Sequence, residues 1–133
     1  MVRPRVLVAD DQPEIRERIA ELLRPDFHLI AFAGDGQQAM DAALQLNPDI
    51  VLLDISMPVF NGLQVASRLR DHGSTAKIIF ITVHRDPDVI EAAFLAGAVG
   101  YVFKARIGKE LIPAIEEALA GRKFTSSLEK PAV

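Results

Sequence analysis

Five short apolar runs recur along the chain at intervals of roughly 20–30 residues, the repeat length of a strand followed by a helix, and this spacing leaves few folds open. They are Val6-Leu7-Val8-Ala9, His28-Leu29-Ile30-Ala31-Phe32, Ile50-Val51-Leu52-Leu53, Ile78-Ile79-Phe80-Ile81 and Gly100-Tyr101-Val102-Phe103. The first, third and fourth are apolar without alternation, as parallel strands covered on both faces must be. His28 marks the second run as the expected sheet edge.

The segments between the runs have helical spacing. Ile15, Ile19, Leu22 and Leu23 fall on one face behind Pro13, which suits a first helical position. Ala39, Ala43 and Leu46 make a second stripe that stops before Asn47-Pro48. Leu63, Ala66 and Leu69 make a third, and Val89, Ile90, Ala93, Phe94 and Gly97 a fourth behind Asp86-Pro87. Leu111, Ile112, Ile115 and Leu119 make the fifth, where Pro113 predicts a helix that starts close by or kinks. Five strand–helix units in strict alternation predict an α/β fold, a doubly wound five-stranded parallel sheet with five helices and right-handed crossovers.

Composition narrows the function. The 133 residues fit one domain, and a formal charge of −3 with a pI near 5.6 argues against direct nucleic-acid binding. The chain has no cysteine, which removes disulfides, thiolate metal sites and cysteine nucleophiles. No apolar run is long enough to span a bilayer, and the basic start, Met1 to Arg5, lacks the apolar stretch of a signal peptide. A cytoplasmic protein that keeps clear of membranes is expected.

Ligands of open α/β sheets bind at the carboxyl ends of the strands. The first run ends in Asp10-Asp11, the third in Asp54, the fourth in Thr82 and the fifth in Lys104. Alone, an Asp pair after a strand serves as well to cap a helix, Thr82 could be a capping hydroxyl, and Lys104 a solvated lysine. Together, at four of five strand ends, they converge on one rim. Three carboxylates there repel one another unless counter-charged. Lys104 supplies one positive charge, and oxygen-only ligands favour Mg²⁺ or Mn²⁺ for the remainder. A carboxylate nucleophile, a cation site, a lysine and a hydroxyl are the parts of phosphoryl transfer to an aspartate.

From Arg5 to about Gly121 the chain resembles the receiver domain of bacterial two-component response regulators, of the NarL/FixJ type. The resemblance rests on Asp10-Asp11, on Asp54-Ile55-Ser56-Met57-Pro58 followed by Gly62, and on Thr82 and Lys104 in that order. It implies a flavodoxin-like strand order 2-1-3-4-5, with residues 1–121 as the receiver and 122–133 as a tail or truncated linker. It implies that Asp54 is the phosphoacceptor, served by a sensor histidine kinase or histidine phosphotransfer protein. Asp11, Asp54 and the Ser56 backbone carbonyl would hold Mg²⁺ (or Mn²⁺), with Asp10 acting through water. Lys104 would pair with Asp54 or its phosphoryl oxygens, and Thr82 would turn toward them, vacating space for Tyr101 as a switch.

Three positions depart from the common pattern. Lys104 is followed by Ala105 rather than a proline in a cis bond, so this bond is either trans or strained by about 3 kcal/mol. Val83 and His84 follow Thr82, and with Ser56 they flank Asp54, where they are expected to tune hydrolysis of an acyl phosphate.

Alternatives fit less well. A haloacid-dehalogenase-like phosphatase would carry an acid where Ser56 stands, a flavodoxin-like cofactor protein would not place Asp10-Asp11 against a phosphate, and an interaction module independent of phosphorylation leaves the pocket without a purpose. The expectation is therefore a non-enzymatic phosphoacceptor. Its output would be a protein contact, a homodimer or a DNA-binding domain absent from this sequence.

Overall fold

The computed structural model describes residues 2–127. In chain order the elements are β1 (Arg5–Ala9), α1 (Pro13–Leu23), β2 (His28–Ala33), α2 (Gly36–Leu46), β3 (Ile50–Leu53), α3 (Gly62–Asp71), β4 (Lys77–Thr82), α4 (Pro87–Leu95), β5 (Gly100–Phe103), α5 (Ile107–Leu119) and β6 (Phe124–Thr125). A 3₁₀ turn, Lys104–Arg106, joins β5 to α5. All pairings are parallel, in the order β2-β1-β3-β4-β5-β6.

The helices begin and end where their local chemistry dictates. Pro13 and Pro87 open α1 and α4, and the Asp86 carboxylate accepts from the Asp88 amide. Asn61 and Gln64 close a reciprocal capping box at the start of α3. Asn47 ends α2 at a φ of 49°, a left-handed conformation that Asn tolerates, just before Pro48. α5 begins at Ile107 and runs through Pro113. Pro113 lies on the exposed side of the helix, as does Lys109, whose carbonyl the proline leaves without a helical donor and within reach of water.

Alternation in the strands builds a core on each face of the sheet. Val6, Val8, Ile50, Leu52, Ile79, Ile81 and Val102 pack with Ile19 and Leu23 of α1 and Ile107, Leu111 and Ile115 of α5. Leu7, Ala9, Val51, Leu53, Phe80, Tyr101 and Phe103 pack with α2, α3 and α4. Each fully buried aliphatic side chain contributes on the order of 1.5–3 kcal/mol, so the two cores hold the sheet rigid under the rim.

The sheet has six strands rather than five. The added strand comes from the stretch read from sequence as a tail, where only Phe124 and Thr125 pair, too short a run to register as a strand. β2 is the opposite edge, with His28 exposed on it, as expected. The Lys104–Ala105 bond is trans, as are all others among the described residues. Among those residues no helix is long and apolar enough to cross a membrane.

One glycine is forced by the site beneath it. A Cβ on Gly62 would lie 2.2 Å from the Asp54 carbonyl oxygen and 2.9 Å from Ile55 Cα, both backbone atoms that cannot swing aside. The Gly62 amide also donates to the Ile55 carbonyl at 2.8 Å. Gly62→Ala is expected to lower stability by about 2–3 kcal/mol in urea denaturation, the usual cost of overpacking a rigid core, and to weaken phosphorylation of Asp54 with it.

Candidate functional site

Register places the acidic groups. Ala9 pairs with both Ala33 and Leu53, so Asp10 and Asp54, the next residues, emerge side by side from β1 and β3. Their amides continue the ladders, Asp10 donating to the Ala33 carbonyl and Asp54 to that of Ala9. Thr82 ends β4 level with Phe103 of β5, so Lys104 leaves β5 beside the loop after Thr82.

Lys104 Nζ lies 2.9 Å from Asp10 Oδ2 and 3.2 Å from Asp54 Oδ2. Asp10 and Asp54 are buried and Asp11 is exposed, yet carboxylate oxygens of all three lie within 4.8 Å of one another. Burial pushes the Asp54 carboxyl above its ordinary range, and the charge of Asp10 adds to this. Lys104 and the Ser56 amide, which donates to Asp54 Oδ1 at 3.3 Å, oppose the rise without cancelling it. Burial alone would lower the Lys104 pKa, but the Asp10 and Asp54 carboxylates outweigh it and hold the ammonium above its usual value.

Thr82 is fully buried, and its Oγ1 accepts from the His84 amide at 3.1 Å. The Tyr101 ring is also fully buried, and its hydroxyl donates to the His84 carbonyl at 2.8 Å. Burial, helped by the negative charge of Asp86, pushes this phenol up to about 12, against a smaller opposing effect of the Thr82 hydroxyl. Ser56 Oγ and His84 Nε2 are 2.7 Å apart, linking the loops after β3 and β4. Val83 is 67% exposed.

All the residues expected from sequence thus stand at one end of the sheet. Two neighbours escaped that reading. Gln12 caps no backbone group with its side chain; its Oε1 accepts from Lys104 at 3.0 Å, while its amide donates to Asp10 Oδ1 at 2.8 Å. Arg16 donates to the Asp10 carbonyl at 2.6 Å. Adjacency to the Asp pair was the only sequence signal for Gln12, and Arg16, one turn into α1, had none.

A family model described as the response regulator receiver domain matches residues 6–116. The chain belongs to the response-regulator receiver family. It is 37% identical over 126 residues to the transcriptional regulatory protein PdtaR of Mycobacterium tuberculosis, covering 94% of this chain and 61% of that one. It is 31% identical over 128 residues to the nitrate/nitrite response regulator protein NarL of Escherichia coli, covering 95% and 59%. This receiver therefore spans about three-fifths of the length of these relatives. The signal receiver domain of a putative NarL response regulator from Mycobacterium tuberculosis superposes with a TM-score of 0.88 at 30% identity, over 92% of this chain and all of that one.

The acidic cluster of the receiver fits a divalent cation. Asp10 Oδ2 is the one buried side-chain polar atom, among the described residues, without a well-directed hydrogen bond, although Lys104 stands within ionic contact of it. A single ammonium faces three carboxylates, so positive charge is in deficit, and the donor set is all oxygen, as hard cations require.

Because native Asp54 holds its proton to higher pH than the unfolded chain does, the native state binds more protons in the window between the two values. Stability therefore falls as pH rises through that window, and at neutral pH the ionised group is a net cost to the fold. Asp54→Asn keeps the shape and drops the charge. In buffer free of divalent metal it is expected to be more stable than wild type at neutral pH, with the difference vanishing in acid where both forms are uncharged; denaturation curves at the two pH values check this.

Proposed function

We propose that Asp54 is the phosphoacceptor of this receiver, taking its phosphoryl group from the phosphohistidine of a sensor histidine kinase or a histidine phosphotransfer protein. The observation that carries this reading is the contact of Lys104 with both Asp10 and Asp54 within a charge-deficient carboxylate cluster. A carboxylate oxygen of Asp54 attacks phosphorus, the P–N bond to the donor imidazole breaks, and its electron pair stays on the ring nitrogen. The product is an acyl phosphate, which water later cleaves to restore the carboxylate.

Asp10, Asp11, Asp54 and the Ser56 backbone carbonyl are the groups that would hold Mg²⁺ or Mn²⁺. Bound there, the ion supplies the positive charge that lets two anions approach. Lys104 takes up a phosphoryl oxygen through a charge-assisted hydrogen bond. Thr82 offers its hydroxyl to another, giving up the His84 amide, and Tyr101 reports the change through the His84 carbonyl.

Residues 1–121 form the receiver unit on this reading; of the expected tail, 122–133, Phe124 and Thr125 pair with β5, and 128–133 lie outside the described residues. The module carries signals in the cytoplasm and turns over no substrate beyond its own acyl phosphate. Its output is a partner protein, a second copy of the chain or a DNA-binding domain, a choice the transcriptional names of the relatives favour for the whole regulators.

Incubation with acetyl phosphate and Mg²⁺ should add one phosphoryl mass to the intact protein, and none with a chelator or in Asp54→Asn. Failure of the wild type to label, or labelling of Asp54→Asn, overturns the assignment.

On this reading Ser56, Val83 and His84 flank the carboxylate; the Ser56 amide donates to Asp54 Oδ1, and its hydroxyl contacts His84. Breaking it in Ser56→Ala or His84→Ala is expected to speed hydrolysis of the acyl phosphate roughly fivefold, the equivalent of one hydrogen bond of about 1 kcal/mol. A decay time course by mass spectrometry measures it, and an unchanged rate when Ser56, Val83 and His84 are all replaced would remove these residues from the kinetic role.

A further inference from the structure

The stretch after α5 is tied to the site by a continuous set of contacts. The Phe124 amide donates to the Val99 carbonyl at 3.0 Å, and the Ser126 amide to the carbonyl of Tyr101 at 2.8 Å. Ser126 is fully buried, although it is a serine five residues beyond the helix-ending Gly121. Its hydroxyl oxygen accepts from the Phe103 amide at 3.0 Å and donates its proton to Glu110 Oε1 at 2.5 Å. Arg106 donates to the Ser127 carbonyl at 2.8 Å.

Ser126 therefore grips β5 at two points, Tyr101 and Phe103. Phe103 is the residue before Lys104, whose ammonium touches Asp54, and the Tyr101 hydroxyl holds the carbonyl of His84. The His84 amide in turn donates to Thr82. The guanidinium of Arg85, in the same loop, stacks 4.7 Å from the Phe103 ring centroid, with Arg106 at 5.5 Å from it. Every group of the rim that senses the charge at Asp54 from the β4 and β5 side thus reaches Ser126 within a few bonds.

We propose that residues 122–127 are a phosphorylation-tightened latch: the short strand β6 docks on β5 more firmly when Asp54 carries a phosphoryl group, and so passes the state of the site to the polypeptide beyond it. This rests on Asp54 being the phosphoacceptor. A strand of two residues is marginal by itself, so its docking equilibrium is poised to respond to small changes in its partner strand. New phosphoryl oxygens give Lys104 and Thr82 additional acceptors and fix both the end of β5 and the loop that holds Tyr101. The edge to which Phe124 and Ser126 bind then frays less. By linkage, the docked latch favours the phosphorylated state by the same factor.

Amide hydrogen exchange on the full chain, with and without acetyl phosphate and Mg²⁺, tests this while intact mass on the same samples reports phosphorylation separately. Exchange of the Phe124 and Ser126 amides is expected to slow by roughly fivefold or more in the phosphorylated protein, the lower bound of ordinary allosteric coupling. Ser126→Ala should still label at Asp54, less fully than the wild type at limiting phosphodonor as the linkage requires, and show fast exchange in this strand in both states. Arg106→Ala, a substitution away from the core, should reduce the protection and keep the fold. Equal exchange in fully labelled and unlabelled wild type overturns the latch and leaves the phosphoacceptor assignment standing. Absence of labelling overturns both.

Discussion

The ion contacts of Lys104 with Asp10 and Asp54 are the interaction on which the rest of this structure depends. Asp54 is buried beside Asp10 at the sheet end, and burial together with the charge of Asp10 disfavours the charged form of Asp54. One ammonium reduces that cost without removing it, and the pKa of Asp54 stays raised. The site is therefore held short of positive charge by its own fold, which is the condition under which a divalent cation binds and a phosphoryl group finds a nucleophile with its counter-charge at hand.

That poise needs rigid support. The two cores clamp β1, β3, β4 and β5 from both faces, so the strand ends cannot separate to relieve the repulsion. Gly62 lets the loop after β3 fold back against the Asp54 backbone, and Gln12 fills the donor capacity of Lys104 that the carboxylates leave open. On the other side the support is softer. Thr82, His84, Tyr101 and Ser126 are joined in series by hydrogen bonds between loop, strand and edge.

Much of this was legible in the residues. The unalternated runs marked the central strands, and Pro13, Asn47-Pro48 and Asp86-Pro87 marked helix boundaries that the structure reproduces. Asp10, Asp11, Asp54, Thr82 and Lys104 stood out because each ended an apolar run. β6 was not legible: two residues carry no periodicity, and Ser126 is an ordinary polar residue until its hydroxyl is seen bridging Phe103 and Glu110. Gln12 was hidden because its side chain meets Lys104, 92 residues away, and Arg16 because its bond to the Asp10 carbonyl uses a backbone acceptor that carries no side-chain signal.

The sequence by itself determined which chemistry the rim can hold, because parallel strands of one sheet end together and their closing residues are read directly from the chain. It determined the strand–helix alternation and both apolar faces for the same reason, periodicity being a local property. Only the tertiary structure decided the charge balance, since burial and the distances from Lys104 to its two carboxylates depend on register between strands far apart in sequence. It alone decided that the stretch after α5 returns to the sheet, because that pairing is satisfied by backbone groups every residue carries and leaves no mark in the sequence.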